Sequence, residues 1–361
     1  PSGSGSGVVG VVTHILKNSD AYSKNLKRGD IFMGVNGQLL TLYNYYNLLF
    51  DDKTSYILNM AKRINNEFTL NGVNINLIKE EEFQTNPIQL SKVIQRGGKK
   101  IAYLMYTQFS QGFDKELNSV FAEFKTEGVD ELILDLRYNR GGLTKTALYL
   151  SGMITGQFTG QIFSQKLWNK KVMDYYESIN NTKWMKDLFV SEMDDNTLIN
   201  SLNLNKVYII TSGSSASASE MVINGLSPFI NVIQVGQTTS GKNVGGLAVV
   251  YDYIDNTNST INPDHSYAIS PITFSVANSD GFSDYSNGLS PSDGFTLAED
   301  FLNMGVLGEV SDPLLALALN DITGNSARKP ILIPEFPIEN IIEDQEMWKS
   351  SMLFMLQGDI P

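Results

Sequence analysis

From Lys100 onward the chain alternates short apolar runs with stretches of helical periodicity, and no other feature constrains its fold as much. Ile101-Ala102-Tyr103-Leu104-Met105-Tyr106 reads as an apolar strand, after which Leu117, Val120, Phe121 and Phe124 fall at i, i+3, i+4 and i+7, one face of a helix. Glu131-Leu132-Ile133-Leu134-Asp135-Leu136 reads as a second buried strand, ending in the pair Gly141-Gly142 before a helix through Ala147 and Leu150. Residues 206–211 repeat the strand, 217–227 the helix and 231–236 the strand again. Strand, helix, strand at this spacing predicts an α/β layer with parallel strands.

The chain before Lys100 has a different texture. Residues 8 to about 80 set short β-branched runs between turn signals such as Asn18-Ser19-Asp20, Gly29-Asp30 and Asn36-Gly37, which predicts a small β-rich domain. Strands are expected at Ile31-Phe32-Met33-Gly34-Val35, at residues 54–60 and at 67–78. The acidic Glu80-Glu81-Glu82 and Asn86-Pro87 read as a linker. The predicted organisation is a flexible lead over 1–7, a β-rich domain over 8–90, an α/β core over 91–325 and an unassigned tail over 326–361. Residues 157–200 are expected to be an insertion packed on the core, and 252–294 to be polar and turn-rich.

Composition narrows the chemistry. The 27 Lys and Arg against 39 Asp and Glu give a formal charge of -12 and a pI near 4.7, so nucleic acid and anionic membranes are poor partners. The chain has no cysteine, which excludes disulfides, thiolate metal sites and a cysteine nucleophile. Its two histidines, His14 and His265, stand far apart, which argues against a multi-His metal site. Both are expected to be surface or loop residues. No apolar run reaches the ~18–20 residues of a membrane span, and Pro1 to Gly7 is Ser/Gly-rich where a signal peptide would be basic and then apolar.

Three segments have residue types suited to chemistry. Thr211-Ser212-Gly213-Ser214-Ser215-Ala216-Ser217-Ala218-Ser219-Glu220 lies between a buried strand and an apolar helix. A hydroxyl there sits among unpaired backbone N–H groups at the positive end of the helix, although serines before helices also serve as N-caps and turns. Strand 231–236 leads into Gln237-Thr238-Thr239-Ser240-Gly241-Lys242, placing a lysine at the carboxyl end of a strand, the usual site position in open α/β sheets. A desolvated lysine has a lowered pKa and can take a serine proton, and the alternative is a surface lysine after a glycine turn. Asp135-Leu136-Arg137-Tyr138-Asn139-Arg140-Gly141-Gly142 offers glycine N–H groups for an oxyanion, or a plain strand-to-helix turn with an Asp135–Arg137 ion pair.

Together these segments resemble the C-terminal processing peptidases, also called tail-specific proteases. The family's aspartate-leucine-arginine-x-asparagine-x-glycine-glycine motif stands at 135–142, Ser-Ala-Ser-Ala-Ser-Glu at 215–220 and Thr-x-Gly-Lys at 239–242. The resemblance implies a crotonase-like core with a Ser217–Lys242 dyad, the two residues 25 positions apart as in the family. It implies an oxyanion hole from Ala218 N–H and one of Gly141 or Gly142, with no metal or organic cofactor. The first domain resembles a PDZ domain, through Val12 to Ile15, Leu26-Lys27-Arg28-Gly29-Asp30-Ile31 and Val35-Asn36-Gly37. A carboxylate-binding loop near Ser6 to Gly10 then follows, with Gly7, Val8, Val9 and Gly10 as peptide-binding residues.

The implied partner is a protein or peptide with a free apolar carboxyl terminus, and the implied location is the cell envelope. The chain departs from the family where a supporting glutamine or aspartate would stand, at Gly246 and Pro228. It departs again at Asn243, where glycine is usual, and at Pro291-Ser292-Asp293, where Pro-Asp is usual. A catalytically inactive peptide- or lipid-binding protein on the same fold is the alternative.

Overall fold

A computed structural model describes residues 8–65, 67–246 and 271–324. The expectations for Gly7, for His265 and for the segments 1–7 and 326–361 concern residues outside these.

The first unit is antiparallel. β1 (Gly10–Val11) pairs with β2 (Ile31–Val35), which also pairs with β3 (Gln38–Leu39) and with β4 (Ser55–Ile64). The short helix α1 (Tyr45–Leu49) precedes β4, and β5 (Glu67–Ile78) closes the order β1-β2-β4-β5. Asn36 and Gly37 take φ 53° and 79°, the left-handed conformations that a two-residue hairpin between β2 and β3 requires. The unit's buried cluster is small: Val8, Val35, Leu40, Leu58, Met60 and Leu77.

The second unit begins with β6 (Ile88–Arg96), which runs across residue 90, so Ile88 already belongs to the α/β layer. There follow β7 (Lys99–Tyr106), α2 (Asp114–Glu127), β8 (Glu131–Asp135) and α3 (Thr144–Thr155). Next in the chain come β9 (Ile162–Trp168), α4 (Lys170–Ser178), β10 (Lys186–Leu188), β11 (Lys206–Thr211), α5 (Ala218–Leu226) and β12 (Asn231–Gly236). The central sheet has the order β12-β11-β8-β7-β6, parallel throughout except for β6 at the edge. Leu104, Leu134 and Ile209 pack on one face with residues of α2, α3 and α5. Tyr103, Ile133 and Ile210 pack on the other with Leu315 and Leu319 of α6 (Pro313–Ile322). Burial on both faces is why these strands read as unbroken apolar runs.

Residues 157–200 do more than rest on this core. β9 and β10 join β13 (Val244–Gly246) and β14 (Ile272–Asn278) in an antiparallel sheet of order β10-β9-β14-β13. Phe163 and Phe189 enter the main buried cluster, and the Phe163 ring covers Gly225 of α5, where any Cβ would lie 2.4 Å from it. β14 is a strand inside the stretch expected to be turns; it is half-exposed along most of its length, which weakens its apolar signature. Among the described residues no helix is long and apolar enough to cross a membrane.

His14 lies in a loop, as expected, and is half-buried. Its ring stacks on Tyr138 of the core, centroids 5.4 Å apart and planes 13° from parallel, and burial and the nearby Arg28 lower its pKa. The reason is long-range: the ring is covered by a unit more than a hundred residues away in sequence.

Candidate active site

The serine run turns the chain from β11 into α5, and most of its hydroxyls are structural. Ser212 Oγ donates to Arg137 O, Ser215 Oγ to Leu136 O (2.8 Å) and Ser219 Oγ to Asn139 O (2.9 Å). Ala216 N–H adds a bond to Asn139 O at 3.1 Å. These four contacts lace the serine run onto the carbonyls of segment 136–139, so the turn reading holds for Ser212, Ser215 and Ser219, and the cap reading holds for Ser217, the N-cap of α5 in a capping box with Glu220.

Ser217 is different. It takes φ 57° and ψ −112°, a conformation that a residue with a Cβ adopts only when its surroundings impose it, and it stands half-buried at the first turn of α5. What imposes it is a fully buried carboxylate, Glu220. Glu220 Oε2 accepts the backbone N–H of Ser217 at 2.8 Å and of Lys242 at 2.9 Å. Its Oε1 accepts Thr239 Oγ1 and Gly241 N–H, both at 2.6 Å. The two segments expected to hold a nucleophile and a base therefore close on one side chain.

Burial pushes the Glu220 carboxyl pKa up, and these hydrogen bonds pull against it. The Lys242 ammonium is half-buried; its desolvation lowers its pKa, and the Glu220 charge partly restores it. Gly241, at φ 86°, passes so close to Ser286 O that a Cβ would lie 2.2 Å from it, so the loop before Lys242 admits glycine alone. On the other side, Asn243 O accepts Val276 N–H at 2.8 Å, which anchors the loop to β14.

The glycine pair divides into two roles. Gly141 faces the serine: a Cβ there would lie 2.7 Å from Ser217 Cβ and 2.9 Å from Ala218 N. Its own N–H donates to Asn139 Oδ1 at 2.8 Å and so is turned away from any ligand. Gly142, at φ 135°, abuts Phe109, whose carbonyl accepts Leu143 N–H at 2.8 Å and whose N–H donates to Gly141 O at 3.0 Å. Asp135 and Arg137 form the structural ion pair, at 2.7 Å. Arg137 is fully buried and also meets Asp312 at 2.8 Å and Glu299 at 2.9 Å.

Of the residues expected to bind a peptide, Val8 packs into the first unit's core, Val9 is half-buried, and Gly10 lies in β1 beneath the Phe32 ring. All three are far in sequence from the serine site. Gly246 lies in β13 and Pro228 directly after α5, so neither position supplies a polar side chain to the lysine. The residue that sequence reasoning passed over is Glu220. A signal for it was present: Ser217-x-x-Glu220 is a capping-box pattern, in which the third helical residue reaches back to the cap's N–H.

The family model of peptidase family S41 matches residues 100–267. Over 165 residues the chain is 23% identical to a carboxyl-terminal-processing protease of Picosynechococcus, covering 46% of this chain and 34% of that one. Over 171 residues it is 27% identical to a tail-specific protease of Haemophilus influenzae, covering 46% of this chain and 21% of that one. The chain thus spans about a third of the length of the first relative and about a fifth of the second. A crystal structure of a Bacteroides fragilis protein assigned to the S41 proteases superimposes with a TM-score of 0.70 at 25% identity, covering 88% of this chain and 79% of that one. The motifs at 135–142, 215–220 and 239–242 all fall inside the matched stretch, and over residues 100–267 the chain is similar to peptidase family S41.

Proposed function

We propose that this chain is a serine endopeptidase in which Ser217 and Lys242 form a catalytic dyad. The observation that carries the reading is Glu220, whose single oxygen Oε2 accepts both the Ser217 and the Lys242 backbone N–H. Residues 25 positions apart are thereby held side by side, one with a strained backbone and the other with a depressed pKa, and such perturbations cluster at functional sites.

In this reading neutral Lys242 takes the proton from Ser217 Oγ as the oxygen attacks a peptide carbonyl carbon. The negative charge on the tetrahedral carbonyl oxygen meets two N–H groups, Ala218 at the start of α5 and Gly142, since Gly141 N–H is engaged by Asn139. Collapse breaks the C–N bond, and the Lys242 ammonium returns its proton to the leaving amine. Water, deprotonated by Lys242, then releases the acyl group and restores Ser217.

The first unit acts as a PDZ-like module that adds a substrate's carboxyl-terminal residues as a strand beside β1, the outer strand of its sheet. We place the protein in the cell envelope, as the resemblance implies. The test is digestion of an unstructured reporter with an apolar carboxyl terminus, by the wild type and Ser217→Ala in parallel at pH 8. Cleavage by the wild type alone is expected, with slower cleavage of a reporter whose terminus is amidated. No cleavage by either protein, with no covalent labelling of Ser217, would favour a binding protein on this fold.

A further inference from the structure

Arg28 belongs to the connection between β1 and β2, yet its side chain leaves the first unit. It is only 8% exposed. Nη1 donates to Thr13 O and, across the boundary, to Tyr138 Oη, both at 2.7 Å. Nη2 donates to Glu299 Oε1 at 2.6 Å and to Met304 O at 3.4 Å. Tyr138 Oη donates in turn to Glu299 Oε2 at 2.7 Å, and Arg137 Nη1 donates to Glu299 Oε1 at 2.9 Å. One carboxylate therefore joins an arginine of the first unit to a tyrosine and an arginine of the segment that precedes the glycine pair.

That segment has little other freedom. Asn139, next to Tyr138, accepts Ser219 Oγ and Ala216 N–H on its carbonyl and holds Gly141 N–H on Oδ1. The serine run grips residues 136–139 from one side, and the Arg28–Glu299 pair grips Tyr138 and Arg137 from the other. Removing Arg28 would leave Glu299 buried with one cation fewer and Tyr138 Oη without its donor, a change that buried networks do not absorb locally. Arg28 is also not the whole of the contact between the units: Gln89 Nε2 donates to Ile15 O at 2.8 Å and Lys17 Nζ to Ile88 O at 3.4 Å, both ending on β6 and not on the loop.

We propose that Arg28 is a positioning residue for the 137–142 loop, acting through Tyr138 and Glu299 so that Gly142 N–H is aimed at the oxyanion only while the first unit is docked. The proposal rests on the peptidase reading given above. Oxyanion donors act only within a few tenths of an ångström of the right place, so a loosened loop costs turnover more than substrate binding.

The test uses the full chain and a short activated ester, which lacks a carboxyl-terminal tail and so does not sample peptide capture by the first unit. Arg28→Gln and Tyr138→Phe should each lower kcat about tenfold with KM within about twofold. The double variant should be no slower than the slower single one, because both changes break one relay. Lys17→Ala, which breaks a contact between the units away from the loop, should keep the wild-type kcat. Amide hydrogen exchange over 137–142 should accelerate in Arg28→Gln and not in Lys17→Ala.

A folded Arg28→Gln protein with wild-type kcat overturns the proposal, and so do losses that multiply in the double variant. If Arg28→Gln does not fold, Tyr138→Phe decides alone, since it removes one oxygen and keeps the ring: reduced kcat supports the relay and unchanged kcat refutes it. If the wild type does not turn over the ester, the peptidase reading fails, and the exchange rates decide by themselves whether Arg28 holds the loop.

Discussion

The two units of this protein hold their chains in place by different means. In the α/β core, Leu104, Leu134, Ile209 and Val222 are wholly buried, and the strands are covered on both faces. Among the described residues of the first unit the buried cluster has six members, while Tyr43 is 96% exposed and Leu39, Leu70 and Val73 are each about half-exposed. The core can support a strained Ser217 and a buried Glu220 because dense packing leaves those residues no lower-energy arrangement. The first unit is held by a smaller core, and it meets the second through polar bonds that a modest change can loosen.

The difference breaks most sharply at Gly141. Gly141→Ala would place a methyl group 2.7 Å from Ser217 Cβ in a region that cannot yield, and kcat should fall by about 10²–10³ with folding intact, as measured on the reporter. Should Gly141→Ala retain full activity, the contact between the glycine pair and Ser217 would have no catalytic meaning. The next effect belongs to Glu220. Glu220→Gln keeps the shape but cannot accept all four hydrogen bonds, and kcat should fall on the order of tenfold to a hundredfold.

The pH dependence of that variant sharpens the account further. In the proposed mechanism Lys242 must be neutral to accept a proton, so kcat should rise as pH climbs through its pKa, which burial lowers from the ordinary lysine value and Glu220 pulls back up. Removing the carboxylate charge deletes the opposing pull, so the rising limb of the profile should move to lower pH in Glu220→Gln. A limb that moves upward, or stays in place, would mean that the titrating group is not Lys242. The smallest effects contrast the two units in stability. Leu134→Ala should cost about 2–5 kcal/mol by thermal or denaturant unfolding, whereas Tyr43→Ser should stay within ~0.5 kcal/mol.

Much of the core was legible because its signals are local. The strands at 206–211 and 231–236 coincide with the predicted ones, since a short β-branched run of strand length is a local signal. The three motif segments also read correctly as sitting at the carboxyl ends of strands. What escaped depended on partners distant in sequence: the Arg28–Tyr138–Glu299 relay, the stacking of His14, and the third sheet, where β14 pairs with β9 more than a hundred residues earlier. Glu220 lay between these cases. Its capping-box spacing was local, but its bonds to Thr239, Gly241 and Lys242 arise only when β11 and β12 stand side by side.

The most direct measurement of the central claim is peptide mapping after treatment with a phosphonylating probe, on the wild type and Lys242→Ala at the same pH. The account predicts an adduct on Ser217 and on no other serine of the 212–219 run in the wild type, and loss of that adduct in Lys242→Ala. Labelling of Ser217 that is undiminished without Lys242, or labelling at a different serine of the run, would contradict it.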